Sequence, residues 1–347
     1  MMKRFLALIL GAALGGVGPA ADVQVTRFAE NPLIKLDMSP AIGDNANGPT
    51  VIRVPGWVER PLGRYYMYFA HHKGRFIRLA YADSLRGPWK IHVPGVMKVE
   101  DSAFYRPQPD PVDSPSGSYT HIASPEIYVD EMNRRIIMWT HGVWTEGKRW
   151  PENRADAQRW LRQNGYNQYT QAAVSRDGLN FQAQPAITRQ SYLRVFQHSG
   201  TFYAIARLGQ LLRAGDPLHE FELGPDPFRD TPFANRVRHV ALLKDGDTLD
   251  VFFSAIGDAP ESILHTTIGL GGDWNRWKVG EIRRVLTPQA SYECPNLPNE
   301  ASAVGEIDHP ARQMRDPTLF SEDGKISLFY TFCGEQGVAG AELKISR

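Results

Sequence analysis

Three segments of this chain begin in the same way. Gly48-Pro49-Thr50-Val51-Ile52, Ser124-Pro125-Glu126-Ile127-Tyr128 and Asp316-Pro317-Thr318-Leu319-Phe320 each run small or acidic residue, proline, polar residue, two apolar residues. Each opens a series of short runs that are β-branched or aromatic and separated by Gly or Pro, as strands joined by turns are. The first series is 51–54, 65–69, 76–81 and 89–92, and the second is 126–129, 135–139, 171–174 and 181–183. Two series without the proline follow at 192–196, 201–205 and 210–212, and at 239–242, 249–253, 263–267 and 277–279. The last is 318–320, 326–330 and 338–343.

Starts at Val51, Pro125, Leu193, His239 and Pro317 lie 74, 68, 46 and 78 residues apart. The shortest gap suits a bare four-stranded unit of ~40–50 residues. The longer ones imply insertions, at 93–121, 142–169 and 280–315, with one helix candidate at 150–164. Five such units predict an all-β, five-bladed β-propeller of four-stranded antiparallel blades; a large β-sandwich, or a pair of them, is the alternative. The last unit lacks a fourth strand, and 23–35 is available to supply it.

Composition narrows the function. Thirty-nine basic and 38 acidic side chains leave a net charge of +1 over 347 residues. That excludes the basic surface of a nucleic-acid or polybasic membrane binder. Met1-Met2-Lys3-Arg4, the apolar stretch 5–17 and Gly18-Pro19-Ala20 read as a secretory signal peptide over 1–20, with one propeller domain over 21–347. The apolar run is shorter than the ~20 residues of a spanning helix, although an uncleaved anchor is the alternative. A secreted or periplasmic chain with no membrane contact after cleavage is expected, and a monomer. In that oxidising compartment Cys294 and Cys333 either pair or stay as two buried thiols.

In a propeller the starts of the inner strands converge at one end of the axis. Here they carry ionisable and amide groups: Asp44 and Asn47 in the first unit, His121 and Glu126 in the second, Arg194 in the third, Arg238 and His239 in the fourth, Asp316 in the fifth. Glu293 lies in the long loop before the fifth, and His72 ends the second strand of the first. Converging carboxylates suit glycoside chemistry, in which one protonates the leaving oxygen and the other activates water or attacks the anomeric carbon. Crowding and burial would raise the pKa of one of them. Glu126, Asp316, Glu293 and Asp44 are therefore the candidate catalytic acids. Asn47, His72, His121, Arg194, Arg238 and His239 are candidate substrate ligands. Each has a plainer alternative: Asp316 capping a turn beside Arg315, Glu126 and Glu293 solvated, Asp44 shaping an Asx turn, His239 a satisfied core histidine. Trp57, Tyr105, Trp144, Trp150, Tyr166 and Tyr192 suit stacking on sugar rings. No His/Asp/Glu spacing matches a metal motif; no cofactor is expected to be required, and a structural cation or water could occupy the axis.

The stretches GPTVIRVP and GRYYMYFAHHKGRFIRLAYADSLRGPWKIH, with HIASPEIYVDEMNRRIIMWTHG, AAVSRDGLNFQA and RDPTLFSEDGKISLFYTFCGE, resemble the five-bladed propeller glycoside hydrolases. These are the family 43 arabinosidases and xylosidases, with families 32, 62, 68, 117 and 130 around them. The resemblance covers most of residues 30–345. It implies an exported glycosidase acting on plant or algal cell-wall oligo- or polysaccharide through an aspartate base from blade one, a pKa-tuning aspartate and a glutamate acid. The chain departs from that pattern where the blade-one Asp-Pro is Gly48-Pro49 and where blade two carries Ser124-Pro125-Glu126. A carbohydrate-binding propeller without catalysis is the alternative. N-terminal sequencing of the exported protein should read from about Ala21; a chain still starting at Met1 would refute the signal peptide.

Overall fold

The computed structural model of this chain describes residues 22–106, 120–149, 151, 154–165 and 167–347. The signal segment 1–20, Trp150 and Tyr166 lie outside the described residues. Chain order opens with two strands, β1 (Asp22–Arg27) and β2 (Ile34–Lys35), whose partner comes at the far end of the sequence. Blade one follows as β3 (Asn47–Arg53), β4 (Tyr65–Ala70), β5 (Phe76–Ala82) and β6 (Lys90–Lys98). Blade two is β7 (Ala123–Asp130), β8 (Arg135–Val143), β9 (Gln168–Ser175) and β10 (Gln182–Thr188), with helix α1 (Arg154–Gln163) between β8 and β9. Blade three is β11 (Arg194–His198), β12 (Thr201–Ile205), β13 (Leu211–Ala214) and β14 (Glu222–Leu223). Blade four is β15 (Val237–Asp245), β16 (Thr248–Ala255), β17 (Ile263–Gly269) and β18 (Arg283–Leu286). Blade five is β19 (Arg315–Glu322), β20 (Lys325–Thr331) and β21 (Gly337–Ser346), completed by β1, with β2 also pairing β21. The fold is the expected five-bladed propeller, and the N-terminal segment closes its ring, Asp22 opposite Ser346 through Arg27 opposite Ala341.

Why the sheets stack follows from β4. Tyr65-Tyr66-Met67-Tyr68-Phe69-Ala70 is buried at every position. Alternate side chains of a strand face opposite sides, so both faces need cover. Tyr66 and Tyr68 pack with Ile127 and Met138 of blade two. Tyr65, Met67 and Phe69 pack with Phe329 and Val338 of blade five. The remaining interfaces repeat the device: Ile137 and Trp139 with Leu193 and Ala204, Phe196 and Ile205 with Val240 and Phe253, Phe252 and Ile263 with Leu328 and Tyr330. The core is thus five apolar seams around an axis.

The repeated proline motif marks a backbone device. The inner strands of blades one, two, four and five each shift register, between Asn47 and Thr50, Ala123 and Glu126, Val237 and Val240, and Arg315 and Thr318. Gly48-Pro49, Ser124-Pro125, Arg238-His239 and Asp316-Pro317 fill these bulges. Proline has no N–H for a ladder, and Gly48, Ser124 and Asp316 hold φ of 55, 45 and 50°. A bulge leaves the extra residue unpaired and re-aims its side chain.

Two outer strands differ from the expectation. The blade-four outer strand is Arg283–Leu286, whereas 277–279 makes only the isolated bridge Ile268–Val279. Trp277 turns inward onto Tyr203, centroids 4.9 Å apart, and the true edge is hidden in the sequence by exposed arginines, a common guard on edge strands. The fourth strand of blade three, β14, is two exposed residues, too short to read. Cys294 and Cys333 are disulfide-bonded across 39 residues, Cα atoms 5.2 Å apart, tying the loop after β18 to the end of β20. Replacing both with serine should lower stability by about 2–4 kcal/mol through the freed unfolded chain. Urea unfolding with and without reductant checks this; an unchanged midpoint would contradict it.

Candidate active site

An antiparallel blade starts its inner strand at one end of the axis and ends its second strand at the same end. Two kinds of segment therefore meet there: inner-strand starts and the turns between second and third strands. Together they enclose a cavity of about 280 Å³. Inner strands bring Tyr192, Arg238, His239 and Asp316; the turns bring His72, Gln168, Arg207, Ile256 and Glu335.

Asp316 is buried, with Oδ1 against His239 Nδ1 and Oδ2 accepting from the Gly48 N–H at 3.3 Å. Burial would raise its pKa, but His239 first, then His72 and Arg315, hold it well below the ordinary carboxylate range. Glu335 is equally buried; Oε2 meets His72 Nδ1 at 2.7 Å and Oε1 accepts from Arg315 Nη1 at 3.1 Å. Burial opposes its ionised form too, and His72 and Arg315 outweigh that, so its pKa is lowered. The expected acid with a raised carboxyl pKa is therefore absent from this pair: Asp316 pushes Glu335 upward, but the neighbouring cations outweigh both that repulsion and burial. His72 is the group shifted the other way. Burial disfavours its charge, but Glu335, helped by Asp316 and Glu306, raises its pKa above 6.5.

Behind this pair runs a chain of buried charges. Arg238 Nε and Nη2 grip Glu261 at 2.7 and 3.1 Å, Arg315 Nε lies 3.3 Å from the same carboxylate, and Arg315 reaches on to Glu335. Asn45 hydrogen-bonds Glu335, and Asn47 Nδ2 lies 2.9 Å from Asn45 Oδ1 and 2.8 Å from His72 Nδ1. The aromatic wall is Tyr192, its ring 4.3 Å from His239 and 4.0 Å from His141. Burial pushes the Tyr192 hydroxyl up to about 12, against Arg207. Burial also lowers His239 despite Asp316, and lowers His141 further with the help of His121 and His239.

Several expected residues sit elsewhere. Glu126 lies past its bulge and bonds Arg194 at 2.7 Å, the Val195 N–H at 3.2 Å and Thr50 Oγ1 at 3.2 Å. Arg194 does not reach the cavity. It donates to Thr50 Oγ1 and Pro49 O of blade one, Pro125 O of blade two and Val240 O of blade four. Glu293 does not overhang the mouth: it is fully buried against Arg27 of β1, with Oε1 at 2.7 Å from Nε and also accepting from Tyr330. The pull of a strand-closing arginine explains this. Asp44 is 79% exposed at the rim, 2.6 Å from His71. His121 is buried next to His141, outside the lining. Of the stacking aromatics, Tyr192 alone among the described residues lines the cavity; Trp57 bonds Glu131 and Trp144 packs on Tyr169. Glu335, Glu261 and Arg207 were missed. Their signal was position: each lies in a turn between second and third strands, Glu335 between Gly334 and Gly337 at φ of 80 and 152°.

No carboxylate can enter from the blade-one bulge. A Cβ on Gly48 would meet Ser124 Cα at 2.8 Å, and its φ is 55°. Among the described residues no group of three or more His, Cys, Asp or Glu could hold a metal ion.

Fold and cavity together define a five-bladed propeller of the architecture seen in family 43 glycoside hydrolases. A thermostable family-43 glycoside hydrolase is 13% identical, with a TM-score of 0.52 over 87% of this chain and 88% of its own. The GH43_1 enzyme from Xanthomonas citri, solved with xylose, is 9% identical, with a TM-score of 0.53 over 87% of each. No family model matches the chain. Its sequence is 33% identical to the uncharacterized protein R118 of Acanthamoeba polyphaga mimivirus, over 93% of this chain and 91% of that one. The chain belongs to the family of that viral protein.

Glu293 stabilises without facing the cavity. Its pKa is lowered, since Arg27 and the Gln289 and Ala290 N–H groups outweigh burial. Its contribution is therefore present above the ordinary value of 4.5 and lost as pH falls through the lowered one. Glu293→Gln should cost on the order of 3 kcal/mol at pH 7 and flatten the acid limb of the stability curve. Chemical denaturation from pH 3 to 7 reads both; an unaltered limb would return Glu293 to the list of free acids.

Proposed function

We propose that this chain is a glycoside hydrolase, and that Asp316 and His72 carry its chemistry. The observation behind this reading is the opposed pair lining one cavity: the buried carboxylate of Asp316, held below the ordinary range by His239, and the imidazole of His72, 2.7 Å from Glu335 and with its pKa raised by that carboxylate. Glycoside hydrolysis needs one group to take a proton and one to give one. Asp316 Oδ accepts the proton of a water that attacks the anomeric carbon. The bond from that carbon to the leaving oxygen breaks as His72 gives its proton to that oxygen. Glu335 holds the imidazolium, and Arg315 and Arg238 hold Glu335 and Glu261. Tyr192 and His239 give the sugar ring an aromatic face. The substrate is a carbohydrate, with plant or algal cell-wall material as the proposed source, and the enzyme is exported after removal of residues 1–20.

A binding propeller without catalysis is the second reading, and Gly48 favours it. That position admits no side chain, so the blade-one base of the resembling enzymes has no counterpart here. Hydrolysis of a panel of aryl glycosides and polysaccharides by the mature protein decides between them. Asp316→Asn should cut turnover roughly a hundredfold or more in a protein that still folds.

The pH profile tests the acid. Turnover should fall as pH rises through the His72 pKa, which lies above 6.5 because of Glu335. Glu335→Gln removes that charge and should move the alkaline limb to lower pH. A limb that stays in place, or that survives His72→Asn, would remove His72 from the mechanism.

A further inference from the structure

Arg207 stands apart from the other arginines of the cavity. Arg238 and Arg315 are locked onto Glu261 and Glu335. The Arg207 guanidinium lines the same cavity, half-buried, with no side-chain hydrogen bond or ion pair among the described residues. It sits on the turn after β12, where Leu208 takes a φ of 66° and Gly209 one of 88°. A second group there is also unsatisfied. His239 is 5% exposed, and with Nδ1 turned to Asp316 its Nε2 has no partner.

The ion pairs point the same way. Asp316 is met by His239, Glu335 by His72 and Arg315, and Glu261 by Arg238. Arg207 lines the cavity with no carboxylate in ion-pair contact among the described residues. A neutral sugar would leave a partly desolvated guanidinium unanswered, at a cost in free energy. A ligand with one negative charge would balance it, and a guanidinium fork binds an oxyanion in two parallel hydrogen bonds.

We propose that the cavity takes a sugar bearing one anionic group, a uronate carboxylate or a sulfate ester, with Arg207 gripping the anion and His239 Nε2 accepting from a ring hydroxyl. Tyr192, beside His239 in the same lining, offers the face on which the ring rests, and its hydroxyl has no partner among the described residues. This rests on the reading of the cavity as a carbohydrate site, and names the class of sugar.

The test is saturation-transfer NMR on the intact mature protein with D-glucuronate, D-galacturonate, D-glucose 6-sulfate, D-xylose and L-arabinose. At least one anionic sugar should give at least a fivefold stronger signal than the neutral ones. The uronate and sulfate arms separate the two sources of the anion. Arg207→Gln should abolish that preference, and Arg207→Lys should restore part of it. The wild-type panel stands even if a variant fails to fold. Equal signals from neutral and anionic sugars, or a preference that survives Arg207→Gln, would overturn the anionic subsite and leave the carbohydrate reading in place. Silence from every sugar, with no hydrolysis of the aryl glycosides, would overturn both.

Discussion

Five sheets arranged around an axis create a problem at the centre, where inner strands approach with bulged, unpaired backbone. Arg194 answers it. Its guanidinium from blade three reaches carbonyls of blades one, two and four, and the carboxylate of Glu126. A buried carbonyl without a donor costs about 1–3 kcal/mol, and the fork geometry of one arginine serves three strands at once. Glu126 in turn balances the charge that this places on the axis. Arg194 and Glu126 are thus a central pin, and the site is built on one side of it.

On that side the bulges decide what is displayed. The extra residue in each inner strand turns Asp316 and the Arg238-His239 pair toward the cavity, while at Gly48 and Ser124 it brings two backbones almost into contact. Blades four and five therefore supply the inner-strand chemistry, and blades one and three answer with turn residues, His72 and Arg207. The charges from Arg238 through Glu261, Arg315 and Glu335 to His72 form one connected network. Its ends are held by its middle, so a change at Glu261 would reach His72 without touching it.

The propeller was legible because strand-length apolar runs recur between turns, and because Pro interrupts them at a fixed place. The outer strands were less so: β14 is two residues, and β18 carries arginines that an edge tolerates and a core would not. Asp316, His239 and Arg238, read from the convergence of strand starts, and His72, read at the end of a second strand, all line the one cavity. Glu126, Arg194 and Glu293 lie outside its lining for one reason. A charged side chain near a convergent end reads the same in sequence whether it meets a ligand or an opposite charge from another blade, and these three meet charges 68 or 266 residues away. Glu335 was hidden among glycines in a turn whose end of the propeller only the strand alternation reveals.

The pairing of β1 with β21 has a consequence for how the molecule comes together. The last sheet is finished by residues from the opposite end of the chain, so the ring stays open until both are present. Joining points roughly 320 residues apart carries a loop-closure entropy of about 5 kcal/mol by the logarithmic rule. Six paired positions, the Arg27–Glu293 contact and an apolar seam offset it. Blade five is then the keystone of the ring: the sheet whose parts lie furthest apart in the chain, and the one that closes the circle.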